Sequence, residues 1–250
     1  MVVALYSFNT HAFDKALQLA ESSGVKYVEG FTFHEVGPLF SDSTMGKVDD
    51  KGIALMNKML LDHGLSMTSM YVDGAKDVKG WQRFFEIGKQ MKMSYLVTEP
   101  ARKHWHLLDS LAGIYNIKVA IHEHAKGESY YWHPDSVLAA MKGHPNIGAC
   151  ADLGHWMRSG LDPVECLKKL EGRIIGIHLK DVAAAKIDGA SVNPGAGVID
   201  FAAITRELER QRFDGYIHVE CEHNMENNLN DVKQAITYFN NVSEDTKQNP

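Results

Sequence analysis

Four apolar segments that end in metal-binding side-chain types decide the fold of this chain: KVAIHEHA at residues 118–125, IGACADLGHW at 147–156, IIGIHLKD at 174–181 and GYIHVECEH at 215–223. Each begins with small or β-branched residues, which favour strands, and ends in His, Asp or Glu. Alternate residues of a strand share a side, so the polar ends of neighbouring strands can meet. The pattern predicts four consecutive strands that direct these groups into one divalent-metal site.

The rest of the chain continues this alternation of strands and helices. Segments with helical spacing of apolar residues follow each of the eight apolar segments. Eight right-handed parallel β-α units favour a closed barrel, and the first turn lacks the GxGxxG of a doubly wound dinucleotide fold. We therefore predict an α/β protein with one domain, a (β/α)8 TIM barrel over residues 1–250, with a loose polar tail at about 243–250. The four segments that precede those quoted above lie at residues 2–8, 26–31, 66–72 and 95–101.

Composition limits the classes of partner and compartment. With 250 residues, of which 44% are hydrophobic, the chain can bury a large core. A net charge of -6 argues against a nucleic-acid partner. A membrane-spanning helix needs about 18 consecutive apolar residues, and no stretch of the sequence approaches that length. Three scattered cysteines form neither a disulfide framework nor a Cys-based zinc site, which favours a reducing, cytoplasmic compartment, although a removed export signal would leave no trace.

Three residues at the ends of successive predicted strands are candidate metal ligands. Asp152, His178 and Glu220 come from strands six, seven and eight. Oxygen and imidazole donors without a thiolate suit Mn²⁺, Mg²⁺, Co²⁺ or Zn²⁺. Any one of these residues alone has an ordinary explanation, since a strand-end Asp often caps a helix. Their matching positions on three strands favour a shared metal site.

The order of IHEH, ADLGHW, GIHLKD and HVECEH resembles the xylose-isomerase-like TIM-barrel superfamily. This superfamily includes sugar isomerases and epimerases, inosose dehydratase-like enzymes and the endonuclease IV group. The flanking GHW-x2-SGLDP and the later GAGVIDF are similar to its sugar-phosphate isomerase/epimerase-like members. The resemblance covers nearly the whole chain, and its motifs identify the superfamily without choosing a reaction.

The resemblance implies that Asp152, His178 and Glu220 bind the metal. It also implies that His155, in D-x-x-H, contacts substrate as in epimerases or a second metal as in endonuclease IV relatives. Glu220 would in addition act in catalysis, because the family moves a proton between two glutamates through an enediolate.

The chain departs from the family pattern at strand five. The family has a glutamate ligand there, whereas this sequence has His122 followed by Glu123. His122 is expected to bind the metal through its imidazole and to alter one acid/base group. Glu99, at the end of strand four, could supply the missing carboxylate, so the choice among His122, Glu99 and Glu123 stays open.

The sequence offers one candidate phosphate site, which we do not favour, and four candidate substrate contacts. Glycines in the PGAGVID loop at 194–200 could present N–H groups to a phosphate, but no Lys or Arg lies nearby in sequence, so we favour a flexible turn. The candidate substrate contacts are His124, Trp156, Lys180 and Glu222.

The favoured function is a metal-dependent sugar isomerase or epimerase that abstracts a proton next to the carbonyl of a sugar or polyol derivative. The alternatives are a dehydratase or eliminating lyase on a keto-sugar, an endonuclease IV-like DNA repair enzyme and a non-catalytic sugar-binding barrel. Endonuclease IV needs extra histidines on strands two and three, and YVEGF and SMTSMYV end in none. The expected partner is a small-molecule substrate; the resemblance allows a homo-oligomer, but no stretch identifies an interface.

Overall fold

A computed structural model describes residues 1–248 and contains a closed barrel of eight parallel strands. Each strand pairs with its neighbours in chain order, and the barrel closes where Val2 pairs with His218. The predicted (β/α)8 barrel is therefore confirmed, and an open doubly wound sheet is excluded. Strands one to eight are Val2–Ala4, Tyr27–Phe31, Ser66–Val72, Tyr95–Thr98, Lys118–His122, Ile147–Asp152, Ile174–Leu179 and Tyr216–Val219.

Helices surround the barrel and connect its strands. Asp49 and Asp77 are the N-cap residues of two of these helices. Their side chains accept hydrogen bonds from the backbone N–H groups of Gly52 and Gly80, at 2.8 Å each. The α-helices are α1 Phe13–Ser22, α2 Asp50–Asp62, α3 Val78–Gln90, α4 Trp105–Tyr115, α5 Pro134–Met141, α6 Leu153–Arg158, α7 Pro163–Lys169, α8 Phe201–Arg210 and α9 Leu229–Gln248. Short 3-10 helices span Leu5–Phe8, Pro38–Phe40, Met45–Lys47 and Arg102–His104, and small antiparallel pairs join Glu35–Gly37 to Ser43–Thr44 and Asp181–Val182 to Ser191–Val192.

The main apolar core lies between the barrel and its helices, and a smaller one lies inside the barrel. The inner cluster consists of Tyr95, Val97, Ala120 and Cys150. Buried polar side chains take up other inward positions, which in TIM barrels are mostly filled by branched apolar residues. Because burying such groups without partners is costly, their presence points to a built polar site.

Two elements differ from the sequence prediction. Strand six ends at Asp152, and α6 begins at the next residue, so His155 lies on a helix instead of a strand end. Helix α9 continues to Gln248, so the expected loose tail is helical from 243 as far as the described residues reach; Asn249 and Pro250 lie outside them. Within residues 1–248, no helix is both long and apolar enough to cross a membrane.

Candidate active site

A cavity of about 160 Å³ opens at the end of the barrel to which the carboxyl ends of the strands point. Aromatic residues form one part of its wall and ionisable residues the other. This is the end at which TIM-barrel enzymes carry their active sites. The aromatic part consists of Tyr6, Phe31, Phe33 and Tyr71, and the ionisable part of His122, His124, His178, Lys180, Glu220 and Glu222.

Four side chains from strands five to eight converge beside this cavity. His178 Nδ1 lies 3.0 Å from Glu220 Oε2 and 3.9 Å from Asp152 Oδ2. His122 Nε2 lies 3.5 Å from the same Asp152 oxygen. Asp152 Oδ1 accepts a hydrogen bond from the backbone N–H of His155 at 2.9 Å and so caps α6, which leaves Oδ2 buried without a hydrogen-bond partner. Two imidazoles and two carboxylates are thus brought together.

Lys180 places a buried ammonium among the carboxylates. Its Nζ lies 3.1 Å from Asp152 Oδ2, 3.0 Å from Glu220 Oε2 and 2.9 Å from Glu222 Oε1. Burial by itself would lower the pKa of Lys180, but these three carboxylates hold it well above its usual value. Burial would likewise raise the pKa of Asp152, but the Lys180 ammonium holds it well below its usual range. Lys180 is therefore charged at neutral pH, and Asp152 is ionised.

The side chain of Glu29 lies under His178 inside the barrel. His178 Nε2 donates to Glu29 Oε1 at 2.9 Å, and Ser69 Oγ donates to Oε2 at 2.6 Å. His218 Nδ1 lies 3.2 Å from Oε2, while its Nε2 is 2.5 Å from the hydroxyl of Tyr95. Burial would raise the pKa of Glu29, but His218 and His178 hold it well below its usual value. An imidazole that donates through Nε2 keeps its Nδ1 lone pair available to a cation.

Glu99 forms a second group with two histidines. Its Oε1 accepts from the Tyr71 hydroxyl at 3.0 Å, contacts His124 Nδ1 and lies 3.5 Å from His122 Nδ1. Burial would raise the pKa of Glu99, but the neighbouring imidazoles of His122 and His124 hold it below its usual value. The two nitrogens of His122 thus face different clusters, Asp152 on one side and Glu99 on the other.

A family model described as a xylose isomerase-like TIM barrel matches residues 17–242. The chain belongs to this family. Among individual relatives, inosose dehydratase from Clostridium perfringens is 36% identical over a region that covers 28% of this chain and 29% of that protein. The matched region therefore spans less than a third of that relative's length.

Solved structures with the family's fold align over nearly the whole chain. An uncharacterised protein from Parabacteroides distasonis has a TM-score of 0.77 and 26% identity, with 97% of this chain and 98% of that chain covered. A D-tagatose 3-epimerase-like protein has a TM-score of 0.80 and 14% identity, with 99% and 98% covered. The barrel is thus shared across proteins with widely different sequences.

Within the xylose isomerase-like barrel, the predicted site residues are distributed unequally. The cavity is lined by His122, His178, Lys180, Glu220, His124 and Glu222, and Asp152 contacts three of them, His122, His178 and Lys180. Glu99 does not line it and reaches it through its contacts with Tyr71, His122 and His124. The structure brings together most of the residues that the sequence singled out.

Three predicted residues lie away from the cavity wall. His155 is buried on α6 with its Nε2 3.3 Å from Lys180 Nζ, and burial and Lys180 hold its pKa well below the usual value, so its imidazole is neutral. Trp156 is fully buried in the main apolar core, so it is not positioned to stack on a substrate. Glu123 is buried with neither carboxylate oxygen hydrogen-bonded, and burial raises its pKa well above the usual value.

The PGAGVID loop does not present its amides to a ligand. Asp181 accepts hydrogen bonds from the backbone N–H groups of Gly195 at 3.0 Å, Gly197 at 2.9 Å and Ile199 at 3.2 Å. A carboxylate of the chain itself therefore takes the place that a phosphate would need. The loop is an ordered turn held by Asp181, which corrects the expectation of a flexible one.

Glu29 is the main site residue that the sequence did not reveal. The sequence predicts KYVEGF at 26–31 as the second strand and gives Glu29 no role in the site. The available signal was a glutamate in the middle of an otherwise apolar strand, which needs a buried partner. Its partners His178 and His218 lie far along the chain, on strands seven and eight.

Proposed function

We propose that this chain is a metal-dependent dehydratase that acts on a small keto-polyol. The observation that carries this proposal is that Glu222 Oε1 and Lys180 Nζ lie 2.9 Å apart in the cavity wall, while strand five supplies His122 in place of the family's glutamate. A base and an acid side by side suit removal of a proton and a hydroxyl from the same face of a substrate. The name of the inosose dehydratase relative supports the same reaction class.

The four converging side chains fit a divalent cation. Asp152 Oδ2 is buried without a hydrogen bond, and it lies within 4.8 Å of ligand atoms of both His122 and His178. With Glu220, these residues would give two carboxylates and two imidazoles, a set that suits Mn²⁺, Co²⁺ or Zn²⁺. A bound cation would polarise the substrate carbonyl and lower the pKa of the neighbouring C–H group.

Glu222 and Lys180 would carry the proton transfers. Glu222 would take the proton next to the carbonyl, which leaves the electron pair of that C–H bond in an enolate. The enolate would then form the carbon–carbon double bond as the adjacent C–O bond breaks. Lys180 would give a proton to the departing hydroxyl, which leaves as water. The hydrogen bond between the two residues, 2.9 Å long, would return the first proton from Glu222 to Lys180.

The aromatic wall would hold the carbon skeleton of the substrate. Phe31 stacks on Tyr71 with ring centroids 5.8 Å apart, and Tyr6 lies 5.5 Å from Phe31. Such rings offer an apolar surface to the C–H face of a sugar or cyclic polyol, while the ionisable part of the wall would bind its oxygens. A cavity of about 160 Å³ fits one small ring better than a longer oligosaccharide.

An isomerase or epimerase is the second candidate function. The observation that favours it is that Asp152, His178 and Glu220 keep the family's ligand types and that His122 lies close to Asp152, at 3.5 Å. An epimerase needs a proton carrier on each face of the substrate, and His122 would have to replace the family's glutamate in that role. A non-catalytic sugar-binding barrel would bind such ligands without turning them over.

The test is product analysis in D₂O. Protein loaded with Mn²⁺ or Co²⁺ is incubated with keto-inositols and with ketohexoses, and the mixtures are followed by ¹H NMR and ultraviolet absorbance. We expect loss of water from a keto-polyol, with the rate reduced at least about 100-fold in Glu222→Gln. The matched control is Glu226→Gln, an exposed residue of the same loop that should retain full activity.

Three outcomes would contradict the dehydratase assignment. Deuterium incorporation next to the carbonyl without loss of water would identify an isomerase or epimerase. Binding of these ligands without exchange or dehydration would identify a sugar-binding barrel. Robust cleavage of abasic-site DNA at low salt would instead support the endonuclease alternative.

A further inference from the structure

Glu99, His122 and His124 form a cluster of metal-type side chains beside the four-residue centre. One ligand atom of each lies within 4.8 Å of the others, and Glu99 Oε1 is 3.5 Å from His122 Nδ1. The rings of His122 and His124 have centroids 4.6 Å apart, because alternate residues at the end of strand five project to the same side. We propose that this cluster binds a second divalent cation and that His122 bridges the two cations.

An unpartnered buried atom points into this second site. His122 Nδ1 is buried and makes no hydrogen bond, although the Glu99 carboxylate lies nearby. His122 is only 4% exposed, so water cannot easily satisfy that nitrogen. Its other nitrogen faces Asp152 in the first centre. A cation between Glu99 and His122 would satisfy Nδ1 without disturbing the contact on the Nε2 side.

The ligand types and exposure suit an open site. One carboxylate and two imidazoles suit Zn²⁺, Co²⁺ or Mn²⁺, and three protein ligands leave coordination positions for water or substrate. The side chain of His124 is 35% exposed and that of Glu99 16%, which gives a cation a path of entry. Glu99 can still accept the Tyr71 hydrogen bond at 3.0 Å, since a carboxylate has about four lone-pair sites.

The bridging arrangement fixes the protonation of His122. A neutral imidazole has one free lone pair, so it can bind only one cation. With a cation on each nitrogen, His122 would be an imidazolate, and its remaining ring proton would have passed to solvent. The second cation would then face the cavity beside His124, which lines the same cavity as Lys180 and Glu222.

The experiment counts bound cations and does not depend on turnover. Chelator-treated protein is dialysed to equilibrium against Co²⁺ or Mn²⁺ and its metal content is measured by mass spectrometry. We expect two equivalents in the unmodified chain and one in the double variant Glu99→Gln/His124→Asn. The single variant His124→Asn, which removes one ligand, should weaken the second equivalent by about 10-fold or more. In the unmodified chain, two Mn²⁺ ions joined through His122 should give a spin-coupled electron paramagnetic resonance signal.

Controls separate this proposal from misfolding and from the proposed reaction. The matched double variant Glu86→Gln/His106→Asn changes exposed residues of α3 and α4 and should keep two equivalents. Far-ultraviolet circular dichroism checks the fold of each variant. One equivalent in the unmodified chain, two in Glu99→Gln/His124→Asn, or none in that variant would each overturn the second site. A failure of dehydration would leave the cation count unchanged.

Discussion

At the scale of single residues, the charge on Glu29 organises the bottom of the candidate site. This carboxylate is fully buried and accepts hydrogen bonds from His178 and Ser69, and its second oxygen lies 3.2 Å from His218 Nδ1. It fixes the orientation of His178 and favours the tautomer that carries its proton on Nε2, the nitrogen that donates to Glu29. Nδ1 then lies on the cavity side without a proton. Such carboxylate–histidine pairs commonly raise the basicity of a ligating imidazole.

The first prediction concerns metal affinity. Glu29→Gln keeps the shape of the side chain but removes its charge, so His178 loses an ionised hydrogen-bond acceptor. We expect the dissociation constant for Co²⁺ or Zn²⁺ to rise about 10- to 100-fold with the fold preserved. Glu21→Gln, at an exposed position on α1, is the control and should bind like the unmodified chain. An unchanged dissociation constant in Glu29→Gln, measured by isothermal titration calorimetry, would show that Glu29 does not support His178.

The second prediction concerns Glu123 and pH. Burial raises its pKa well above the usual value, so this side chain is protonated in the folded state at pH values where it is ionised in the unfolded state. Its contribution to stability is therefore complete below the unfolded pKa of about 4.3 and falls as the pH rises towards the folded pKa. Glu123→Gln should remove this loss of stability at higher pH, because the glutamine side chain does not ionise.

Thermal unfolding at several pH values measures the effect. The stability gained by Glu123→Gln relative to the unmodified chain should increase from pH 5 to pH 8, by at most about 1.4 kcal/mol per pH unit. Glu128→Gln, an exposed neighbour, should show no such trend. A gain that is the same at both pH values would mean that Glu123 is already ionised in the folded state.

At the scale of elements, the ends of strands and the turns after them decide which side chains reach the cavity. The apolar segments and their polar ends could be predicted because strand alternation is visible in the sequence. The start of α6 could not, because LGHW continues the apolar pattern of strand six, and Asp152 caps a helix that begins at once. That early helix places Trp156 in the main apolar core.

The third prediction concerns the loop after strand seven. In Asp181→Asn an amide nitrogen would replace one of the oxygens that accept from Gly195, Gly197 and Ile199, so buried or partly buried N–H···O bonds of the loop would be lost. We expect a loss of about 3 kcal/mol and faster proteolysis between residues 193 and 199. Asp188→Asn, an exposed residue of the preceding turn, is the control. Equal unfolding temperatures for the two variants would show that Asp181 does not hold the loop.

At the scale of the whole molecule, barrel closure creates contacts that no local pattern specifies. Eight β-α units could be counted in the sequence, and three ligand-type residues at the ends of strands six to eight could be predicted from their matching positions. The contact of Glu29 with His178 could not, because it joins strands two and seven across the barrel interior and is separated by 149 residues. His122 likewise contacts Glu99, at the end of strand four, and Asp152, at the end of strand six, so its position between them depends on both neighbouring strands.

The central claim is that a divalent cation held by Asp152, His178, Glu220 and His122 is needed to remove a proton next to a carbonyl. The most direct test measures metal content and deuterium exchange on the same samples of unmodified protein and of Asp152→Asn, in which the helix cap can persist while a ligand charge is lost. Asp162→Asn, at the N-cap of α7, is the matched control. We predict that the unmodified chain and the control bind metal and exchange the substrate proton, that chelation stops the exchange, and that Asp152→Asn loses both properties. Exchange that continues after complete removal of metal, or full metal occupancy in Asp152→Asn, would contradict this account.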